Sequence, residues 1–393
     1  MHSPRLHERP YGLGLGRTLA LLLASFGLSA CVAQQGGPGY GRTAGYPQQQ
    51  LPAAPTGRRV ALLLPLSGAN AQLGQSMLLA AKMAFEPGSA NAFDTQDTHG
   101  TPDGAAAAIR AAINAGAGIV VGPLTAGETS AVTPVATARS VAVLALTSDA
   151  TKARPGIWPL GLTPGQQVRT LVRAAAADYK RRIGAILPSN PFGDSLAAEL
   201  VPAAAEAGLP PPLILRFQGQ SGLDAAVARM GTPSDAPGSS PGNPLAIDAL
   251  LLGTPADTTI KILPDLIRLG MGPDRIRILG TALWARDSAK LAPLAGAWFA
   301  GPPAETLKVF SDNYISHYGT PPRDVASVAF DAAAAAHAVT GPNGVDVSVL
   351  LNPSGFAGAN GVFRLLPDGQ VRRSLAVFEI GLTGVQARPT PQM

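Results

Sequence analysis

The sequence predicts an α/β protein built on parallel β-sheets, and three observations support this fold class. Continuous apolar runs such as residues 60–65 are typical of strands buried on both faces of a sheet. Segments with apolar residues at helical spacing follow these runs, as in residues 71–85. The two patterns alternate along most of the chain, which indicates parallel sheets joined by right-handed crossovers.

The alternation predicts a definite order of elements. Strands are predicted at residues 60–65, 118–121, 141–146, 183–187, 213–217, 247–252 and 276–280. Helices are predicted at residues 71–85, 103–115, 127–138, 165–179, 193–207, 222–230, 257–269 and 324–339. Near the C-terminus the alternation ends, and the apolar runs 362–366 and 377–380 around a Pro-Asp-Gly turn predict a terminal hairpin.

Size and composition indicate a globular protein with more than one domain. The chain has 393 residues, of which 46% are hydrophobic and 14% are charged, so it can bury a large core. The charge-free apolar run at residues 18–28 is shorter than the roughly 20 residues that a membrane-spanning helix needs. The single cysteine, Cys31, excludes an internal disulfide and a cysteine zinc cluster.

The N-terminus has the pattern of an export signal. Three arginines precede the apolar run, and small residues lead from that run to Cys31. The sequence Leu-Ser-Ala-Cys resembles the bacterial lipobox, in which cleavage precedes the cysteine and the thiol carries a lipid. The resemblance implies a lipoprotein signal peptide over residues 1–30, a lipidated Cys31 and, from Val32, sorting to the outer membrane. An ordinary secretory signal with a chance cysteine is the alternative.

Two low-complexity segments are predicted to lie outside the folded core. Residues 31–57 are rich in Gln, Gly and Pro and have almost no charge, which indicates a flexible tether behind the lipidated cysteine. Residues 231–244 (GTPSDAPGSSPGNP) separate a predicted helix from a predicted strand and indicate a disordered surface insertion. The tether would let an anchored domain stand away from the membrane.

Four stretches of the chain resemble type I periplasmic binding proteins of the leucine-binding-protein-like group. They are VALLLPLSGANAQLGQSMLLAAKMAF, IVVGPLTAGETSAV, VAVLALTSDAT and SNPFGDSLAAEL. Within that group the chain is most similar to the penicillin-binding protein activator lipoproteins. The resemblance implies two Rossmann-like lobes with parallel sheets, joined by three crossovers around a cleft. It assigns residues 58–160 and 277–338 to lobe one and residues 161–276 and 339–393 to lobe two.

The fold class predicts where a ligand would bind. In open α/β sheets, ligands lie beyond the carboxyl ends of the strands, against helix N-termini. In the resembling binders, turns at this edge hold the ligand carboxylate with hydroxyl and amide groups. The candidate ligand-binding residues in four such turns are Ser67, Gly68, Asn70, Thr125, Gly127, Glu128, Thr147, Ser148, Asp149 and Phe192. The same residue types also cap helices and form turns, which is the structural alternative for each of them.

Two positions depart from the amino-acid binders of this group. Leu73 stands where an aromatic residue is common. Thr281 and Ala282 stand where a carboxylate would receive the ligand's ammonium group. Because an unpaired buried ammonium is costly, either Asp149 or Glu128 replaces that carboxylate or the ligand is not a free amino acid.

The sequence contains no recognisable catalytic constellation. Residues 122–129 have the spacing of a phosphate-binding P-loop, but Glu128 occupies the position of the required lysine. His99, His317 and His337 are dispersed, and no GxSxG motif is present. The basic cluster 180–182 follows a predicted helix and complements its dipole. We therefore expect no catalytic residue, no cofactor, no metal and no nucleic-acid partner.

Two functions remain open. The first, implied by the resemblance, is a periplasmic lipoprotein that regulates peptidoglycan synthesis by activating a bifunctional penicillin-binding protein. The second is a solute-binding protein that delivers an amino acid or another small polar ligand to an ABC permease. For the first function, Trp284, Trp298 and Phe299 are candidates for an outer surface that contacts the partner, but for each of them burial in the core is the interpretation that we favour.

Overall fold

The computed structural model describes residues 59–85, 93–232, 247–341 and 344–388. The predicted signal peptide 1–30, the tether 31–57 and all but the first two residues of the insertion 231–244 lie outside the described residues. None of the described helices has the length and apolarity needed to cross a membrane.

The first sheet is built from the N-terminal third of the chain. Its elements are β1 (Arg59–Leu64), α1 (Ala71–Lys82), β2 (Phe93–Asp97), α2 (Pro102–Asn114), β3 (Ala117–Val121), α3 (Ala126–Ala138), β4 (Ala142–Ala145), a 3-10 turn (Ala150–Lys152) and β5 (Ile157–Pro159). The five strands are parallel and run in the order β2-β1-β3-β4-β5. Helices cover both faces, because Leu62 and Leu64 pack into the core cluster that includes α1 and Leu63 packs into the cluster that includes α2.

A first crossover leads into the second sheet. Its elements are α4 (Pro164–Ala177), β6 (Ile183–Pro188), α5 (Pro191–Glu206), β7 (Leu213–Phe217), α6 (Gly219–Met230), β8 (Ala249–Leu252), α7 (Ala256–Arg268), β9 (Arg277–Gly280), 3-10 turns (Ala282–Lys290 and Ala292–Leu294) and β10 (Trp298–Gly301). These five strands are parallel, in the order β10-β9-β8-β6-β7.

The rest of the chain returns to the first sheet and then crosses back. It contains α8 (Ala304–Tyr318), α9 (Ala326–Ala338), β11 (Thr340–Gly341), β12 (Gly344–Val345), α10 (Val347–Leu350), β13 (Phe363–Leu365), β14 (Val371–Arg373), β15 (Ala376–Ile380) and β16 (Val385–Arg388). Strand β15 lies antiparallel beside β10, and β16 completes the seven-stranded sheet. We call the first sheet with its helices lobe one and the second sheet with its helices lobe two. The predicted α/β class with parallel sheets is confirmed.

The boundaries between the lobes differ from those predicted. Strands β9 and β10 belong to lobe two rather than lobe one, because they extend its sheet directly beside β8. Conversely, residues 344–371 belong to lobe one rather than lobe two, since Leu350 and Phe363 pack in the same core cluster as Met77 of α1. The second crossover therefore lies at residues 302–303 and the third at residues 374–375.

The C-terminal hairpin is also paired differently. Strand β13 pairs across the Pro-Asp-Gly turn with β14 and not with the apolar run 377–380. That run lies in β15, within the sheet of lobe two. The six residues from Leu366 to Val371 are enough for a tight turn, so β13 and β14 pair with each other. The following apolar strand, β15, instead pairs with the open sheet edge at β10.

The tryptophans do not form the candidate partner surface, and the favoured interpretation, burial in the core, is confirmed. Trp284, Trp298 and Phe299 are 0%, 1% and 3% exposed, so they belong to the core of lobe two. The ring of Trp298 also lies between the guanidinium groups of Arg277 and Arg388, at 4.3 and 4.5 Å from its centroid. None of the three aromatic side chains is therefore available to a partner on the outer surface.

Candidate ligand cleft

The predicted turns of lobe one lie at one edge of its sheet. Strands β1, β3 and β4 are neighbours and parallel, so their carboxyl ends meet there. The turn at 67–70 joins β1 to α1, the turn at 122–125 joins β3 to α3, and the turn at 146–149 follows β4. Phe192 lies in the other lobe, where it is the second residue of α5 and packs, partly buried, against the core of that lobe.

Glu128 is held in a structural role. Its side chain is fully buried, and its two oxygens accept hydrogen bonds from the Thr98 hydroxyl and, at 2.9 Å, from the Thr125 amide. The Thr125 hydroxyl accepts in turn from the Glu128 amide at 3.2 Å, which completes a capping box at the start of α3. The carboxylate of Glu128 is therefore not exposed to a ligand, contrary to its predicted role as a binding residue.

The turn after β4 is bonded mainly within itself. The Thr147 hydroxyl accepts from the Asp149 amide at 3.1 Å. The Asp149 carboxylate accepts from the Thr151 amide at 3.0 Å and lies 3.8 Å from the Lys152 ammonium. Ser148 is exposed. Asp149 thus already has a cationic neighbour, which makes it a weak substitute for the missing ammonium partner.

A carboxylate that the sequence analysis missed organises the first turn. Asp97, the last residue of β2, accepts hydrogen bonds through Oδ1 from the amides of Leu66 at 2.9 Å, Ser67 at 3.3 Å and His99 at 2.8 Å. Strand β2 was not predicted because its sequence, FDTQD, has no apolar run. The signal that could have found it was the absence of any strand between the two predicted helices at 71–85 and 103–115, which breaks the βα alternation.

Ser67, His99 and Asp97 form a small polar cluster but not a catalytic relay. The Ser67 Oγ lies 2.6 Å from His99 Nδ1, and Asp97 Oδ2 lies 3.1 Å from the same nitrogen. In a serine hydrolase the two partners occupy opposite nitrogens of the imidazole ring, so that a proton can pass between nucleophile and base. Because both contacts here fall on Nδ1, this arrangement does not form that relay.

The charge of Asp97 makes the stability of the fold depend on pH. Burial alone would raise the pKa of Asp97, but hydrogen bonds from the His99 amide, the Ser67 hydroxyl and the Leu66 amide, with the charge of His99, bring the pKa below its ordinary value. A carboxyl with a lowered folded-state pKa stabilises the fold above its unfolded pKa of about 3.9, and this stabilisation is lost as pH falls through the folded value.

We therefore expect Asp97→Asn to lower the free energy of unfolding at about pH 7 and to have little effect well below about pH 4. Urea unfolding of both proteins across this range measures the difference. Asp346, whose pKa is also lowered by hydrogen bonds from the Ser348 hydroxyl and amide, titrates in both proteins and cancels in the comparison. A difference that stays constant with pH would show that Asp97 does not act through its charge.

The lobe-two side of the cleft presents neutral groups. Thr281 follows β9 directly and its hydroxyl is buried without a hydrogen-bond partner among the described residues. The next amide, of Ala282, donates to Gln167 Oε1 of α4 at 2.7 Å. The residues that stand in place of the ammonium-binding carboxylate thus contribute a hydroxyl and a methyl group at this strand end.

Trp284 covers the ends of two strands beside Thr281. Its indole N–H donates to the carbonyl oxygen of Thr254, just after β8, at 2.9 Å. Its ring packs so closely on Gly280, the last residue of β9, that a Cβ there would lie 2.3 Å from a ring atom. The carboxyl ends of β8 and β9 are therefore filled by an aromatic side chain.

The part of the chain that the structure describes contains no cluster of side chains suited to a metal ion. Its His, Asp and Glu side chains form no group of three or more that could hold a metal ion. Most of the hydroxyls, amides and carboxylates described for the cleft bond to one another, and the Thr281 hydroxyl is an exception.

The sequence of the folded part matches a known family. A family model for periplasmic binding proteins matches residues 58–384, and the chain belongs to the periplasmic binding protein family. Its fold is that of the type I members, and membership of the family implies a periplasmic location. A comparison with curated proteins found no match.

Solved structures share this fold at low sequence identity. The C-domain of LpoA from Haemophilus influenzae, described as a regulator of PBP1A, is 15% identical, with a TM-score of 0.66 over 84% of this chain and 100% of that chain. Full-length LpoA from the same organism is 16% identical, with a TM-score of 0.68 over 87% of this chain and 61% of that chain. A branched-chain amino acid ABC transporter periplasmic ligand-binding protein from Burkholderia xenovorans is 15% identical, with a TM-score of 0.63 over 84% and 94% of the two chains. Regulators and transport proteins are thus both among the structural neighbours.

Proposed function

We infer that this protein is a non-catalytic periplasmic lipoprotein that regulates peptidoglycan synthesis by activating a bifunctional penicillin-binding protein. The observation that carries this inference is the lobe-two side of the cleft, where Thr281 and the buried Trp284 stand at the strand ends that would have to receive a ligand ammonium group. We expect such a cleft to bind a free amino acid poorly.

The lobe-one side supports the same inference. A ligand carboxylate at the first turn would need the amides of Leu66 and Ser67, and both already donate to Asp97. It would also approach the negative charge of Asp97, whose lowered pKa keeps it ionised at neutral pH. The amides of this turn therefore already bond to an anion of the protein itself. An amino-acid-binding protein would keep these amides free for the ligand carboxylate.

Neither of the two carboxylates considered as substitute partners for an ammonium group is free to act as one. Glu128 is fully buried in its capping box, and Asp149 is paired with Lys152. Burying the ligand's ammonium group without a counter-charge costs roughly several kcal/mol of binding free energy. This cost disfavours tight binding of a free amino acid, whereas docking to a protein partner does not depend on the cleft at all.

Structural similarity to a regulator is a further observation behind the inference. The LpoA C-domain, described as a regulator of PBP1A, matches over its own whole length and over 84% of this chain. At 15% identity the similarity is one of fold. The activator role therefore rests on this similarity combined with the modified cleft and the predicted lipid anchor.

The lipid anchor yields a direct prediction. Cys31→Ala should abolish incorporation of radiolabelled palmitate and leave the precursor uncut at the lipobox, because the thiol is the acceptor of the lipid. Val32→Asp is the matched control: it should keep the label but redirect the protein away from the outer membrane. Normal palmitate labelling of the alanine variant would disprove lipidation at Cys31.

A solute-binding role is the second candidate. Its support is the half-exposed first turn, where Asn70 makes no side-chain hydrogen bond to the α1 N-terminus that it precedes. If the cleft binds an amino acid, Thr147→Ala with Ser148→Ala should abolish that binding, since both hydroxyls lie at the carboxyl end of β4.

One pair of binding measurements separates the candidates. For the regulator, immobilised protein should bind a purified bifunctional penicillin-binding protein saturably, and calorimetric titration with amino acids should give no binding heat. Amino-acid binding together with no capture of the synthase would reject the regulator and favour transport.

A further inference from the structure

The two most exposed large hydrophobic side chains among the described residues lie at the same end of lobe two. Tyr179 follows α4, Leu382 lies in the turn between β15 and β16, and each is 81% exposed. The next in order of exposure, Val309 on α8 of lobe one, is 60% exposed. Exposed apolar side chains that share one surface are typical of an interaction site, because a partner that covers them removes apolar surface from water.

A chain of contacts through Arg277 connects these two side chains. Asp178, the neighbour of Tyr179, has its Oδ2 atom 3.4 Å from Arg277 Nη2. Arg277 also donates through Nη1 to the carbonyl oxygen of Gly296, whose amide donates to the last residue of β15 at 2.7 Å. Leu382 follows two residues later. Tyr179 and Leu382 therefore flank one surface, at the amino ends of β6, β9 and β10.

Two exposed arginines lie beside the same contacts. The Arg181 amide donates to Asp248 Oδ1 at 3.0 Å, and the carbonyl oxygen of Asp248 accepts from the Arg277 amide at 3.0 Å. Arg275 is two residues before Arg277. Neither Arg181 nor Arg275 pairs with a carboxylate among the described residues. We call the surface formed by four exposed residues the basal surface of lobe two: Tyr179, Arg181, Arg275 and Leu382.

The carboxylates near the basal surface are mostly neutralised by arginines of the protein itself. Three of them form ion pairs: Asp178 with Arg277, Asp248 with Arg182 and Glu379 with Arg388. Asp274 is exposed beside Arg275, so two unpaired arginines stand against one exposed carboxylate and the surface is positive. A partner that fits therefore carries carboxylates around an apolar pocket.

The backbone at Tyr179 indicates that its side chain serves something other than the fold. Tyr179 has a φ of 60°, and the amides of Tyr179 and Lys180 donate back into the last turn of α4 at 3.1 and 2.9 Å. This is the Schellman arrangement, in which glycine is usual at the left-handed position. Gly208 after α5 and Gly270 after α7 occupy that position in the same lobe. A bulky aromatic residue is strained there, and glycine would suit the fold better.

The basal surface lies at the end of the molecule remote from the predicted tether. The first crossover joins the carboxyl end of β5 to α4 through four residues, and the second joins the carboxyl end of β10 to α8 through two. The lobes therefore meet at the carboxyl ends of their strands, and the amino ends point away from the junction. The chain enters lobe one at Arg59, the amino end of β1, close behind the predicted tether 31–57. This position favours a protein over the anchoring membrane as the partner of the basal surface.

We propose that the basal surface of lobe two docks on the bifunctional penicillin-binding protein. Its two exposed hydrophobic side chains enter an apolar pocket of that protein, and its two unpaired arginines pair with carboxylates around the pocket. The proposal rests on the regulatory function proposed above, because it names the surface through which that function acts. The cleft between the lobes takes no part in this contact.

Binding of the full chain to immobilised, purified bifunctional penicillin-binding protein measures the contribution of this surface. Leu382→Asp should weaken binding at least about tenfold, chiefly through faster dissociation, because a carboxylate is costly to bury in an apolar pocket. Arg181→Glu combined with Arg275→Glu should weaken binding by a similar factor, chiefly through slower association, and added salt should reduce the difference. The matched controls are Val309→Asp and Arg110→Glu, which change exposed residues of lobe one and should leave the affinity unchanged.

Tyr179→Gly separates a loss of binding from a loss of folding. Because glycine suits the left-handed backbone, this variant should keep or raise the melting temperature. It should nevertheless weaken binding to the penicillin-binding protein several-fold, since the aromatic side chain is removed. A more stable protein that binds less well cannot be explained by unfolding.

The outcomes distinguish this proposal from the regulatory function itself. If the unmodified protein binds the synthase and both Leu382→Asp and Tyr179→Gly bind equally well, the docking surface lies elsewhere and only the present proposal is overturned. If the unmodified protein does not bind, the regulatory function and the docking surface are both rejected. Sedimentation with phosphatidylglycerol vesicles tests the membrane as partner. Vesicle binding that Leu382→Asp abolishes, with synthase binding unchanged, would assign the basal surface to a membrane and overturn the proposal.

Discussion

Replacing Asp331 with alanine is expected to lower the free energy of unfolding by about 3–5 kcal/mol, because it leaves a buried arginine without its counter-charge. The side chains of Asp331 in α9 and Arg373 in β14 are 0% and 1% exposed, and their charged atoms are 2.8 Å apart. Asp331 also accepts from the Asn360 side chain at 2.9 Å and from the Ala359 amide at 2.6 Å. All of these donors would lose their partner in the variant.

The same ion pair also contacts the chain segments that connect the two lobes. Arg373 donates to the carbonyl oxygen of Leu160 at 3.1 Å. Leu160 lies in the first crossover, and Arg373 ends the strand before the third crossover. Loss of the ion pair should therefore loosen the contact between two of the three connections as well as the core of lobe one.

Chemical denaturation measures this effect. Asp312→Ala is the matched control, because Asp312 forms an exposed pair with Lys308 one turn away on α8 and should contribute no more than about 0.5 kcal/mol. An Asp331→Ala protein as stable as the control variant would show that the buried pair is not needed for the fold.

Trp284→Ala should cost about 3–5 kcal/mol, the range for removing a large aromatic from a core. The indole is 0% exposed, packs on Gly280 and donates to the Thr254 carbonyl oxygen. The alanine variant loses the apolar contacts and opens a cavity at the ends of β8 and β9. Trp284→Phe keeps most of the apolar volume and should cost less, chiefly the hydrogen bond at about 1 kcal/mol.

Urea unfolding curves of the two variants test this ranking. Tyr179→Ala serves as the control for removing an aromatic side chain, since Tyr179 is 81% exposed and its loss should change stability by no more than about 0.5 kcal/mol. If Trp284→Ala were as stable as Tyr179→Ala, the indole would not fill the strand ends in solution.

The elements that were predicted correctly are those with strong local patterns. The run at 60–65 corresponds to β1, and the predicted helices at 127–138 and 193–207 correspond to α3 and α5 within two residues at each end. Each is determined by burial on both faces of a sheet or by apolar residues at helical spacing. Such signals need no knowledge of distant contacts.

The elements that were missed depend on distant parts of the chain. Strand β2 is a polar edge strand that exists through its pairing with β1. Helix α8 buries only Phe310 and Tyr314 among its fifteen residues, so it shows little apolar periodicity. The lobe boundaries failed for the same reason, because nothing local to β9 or β10 shows which sheet they join.

The predicted turns of lobe one do share one sheet edge, but the structure gives several of their residues bonds within the protein that were not predicted. Thr125 and Glu128 have the spacing of a capping box, which is readable from sequence and explains why the carboxylate is buried. The interaction of Asp97 with Leu66 and Ser67 spans about thirty residues and could not be read from local pattern. The absence of a carboxylate at the position of Thr281 could be read from the sequence. It remains the strongest indication against an amino-acid-binding protein.

The most direct test of the regulatory function is the rate of glycan polymerisation by a purified bifunctional penicillin-binding protein with and without this protein. We expect a saturable, several-fold increase in the rate, and no increase with an amino-acid-binding protein of the same fold at equal concentration. An unchanged rate at a concentration that saturates binding would contradict the regulatory function.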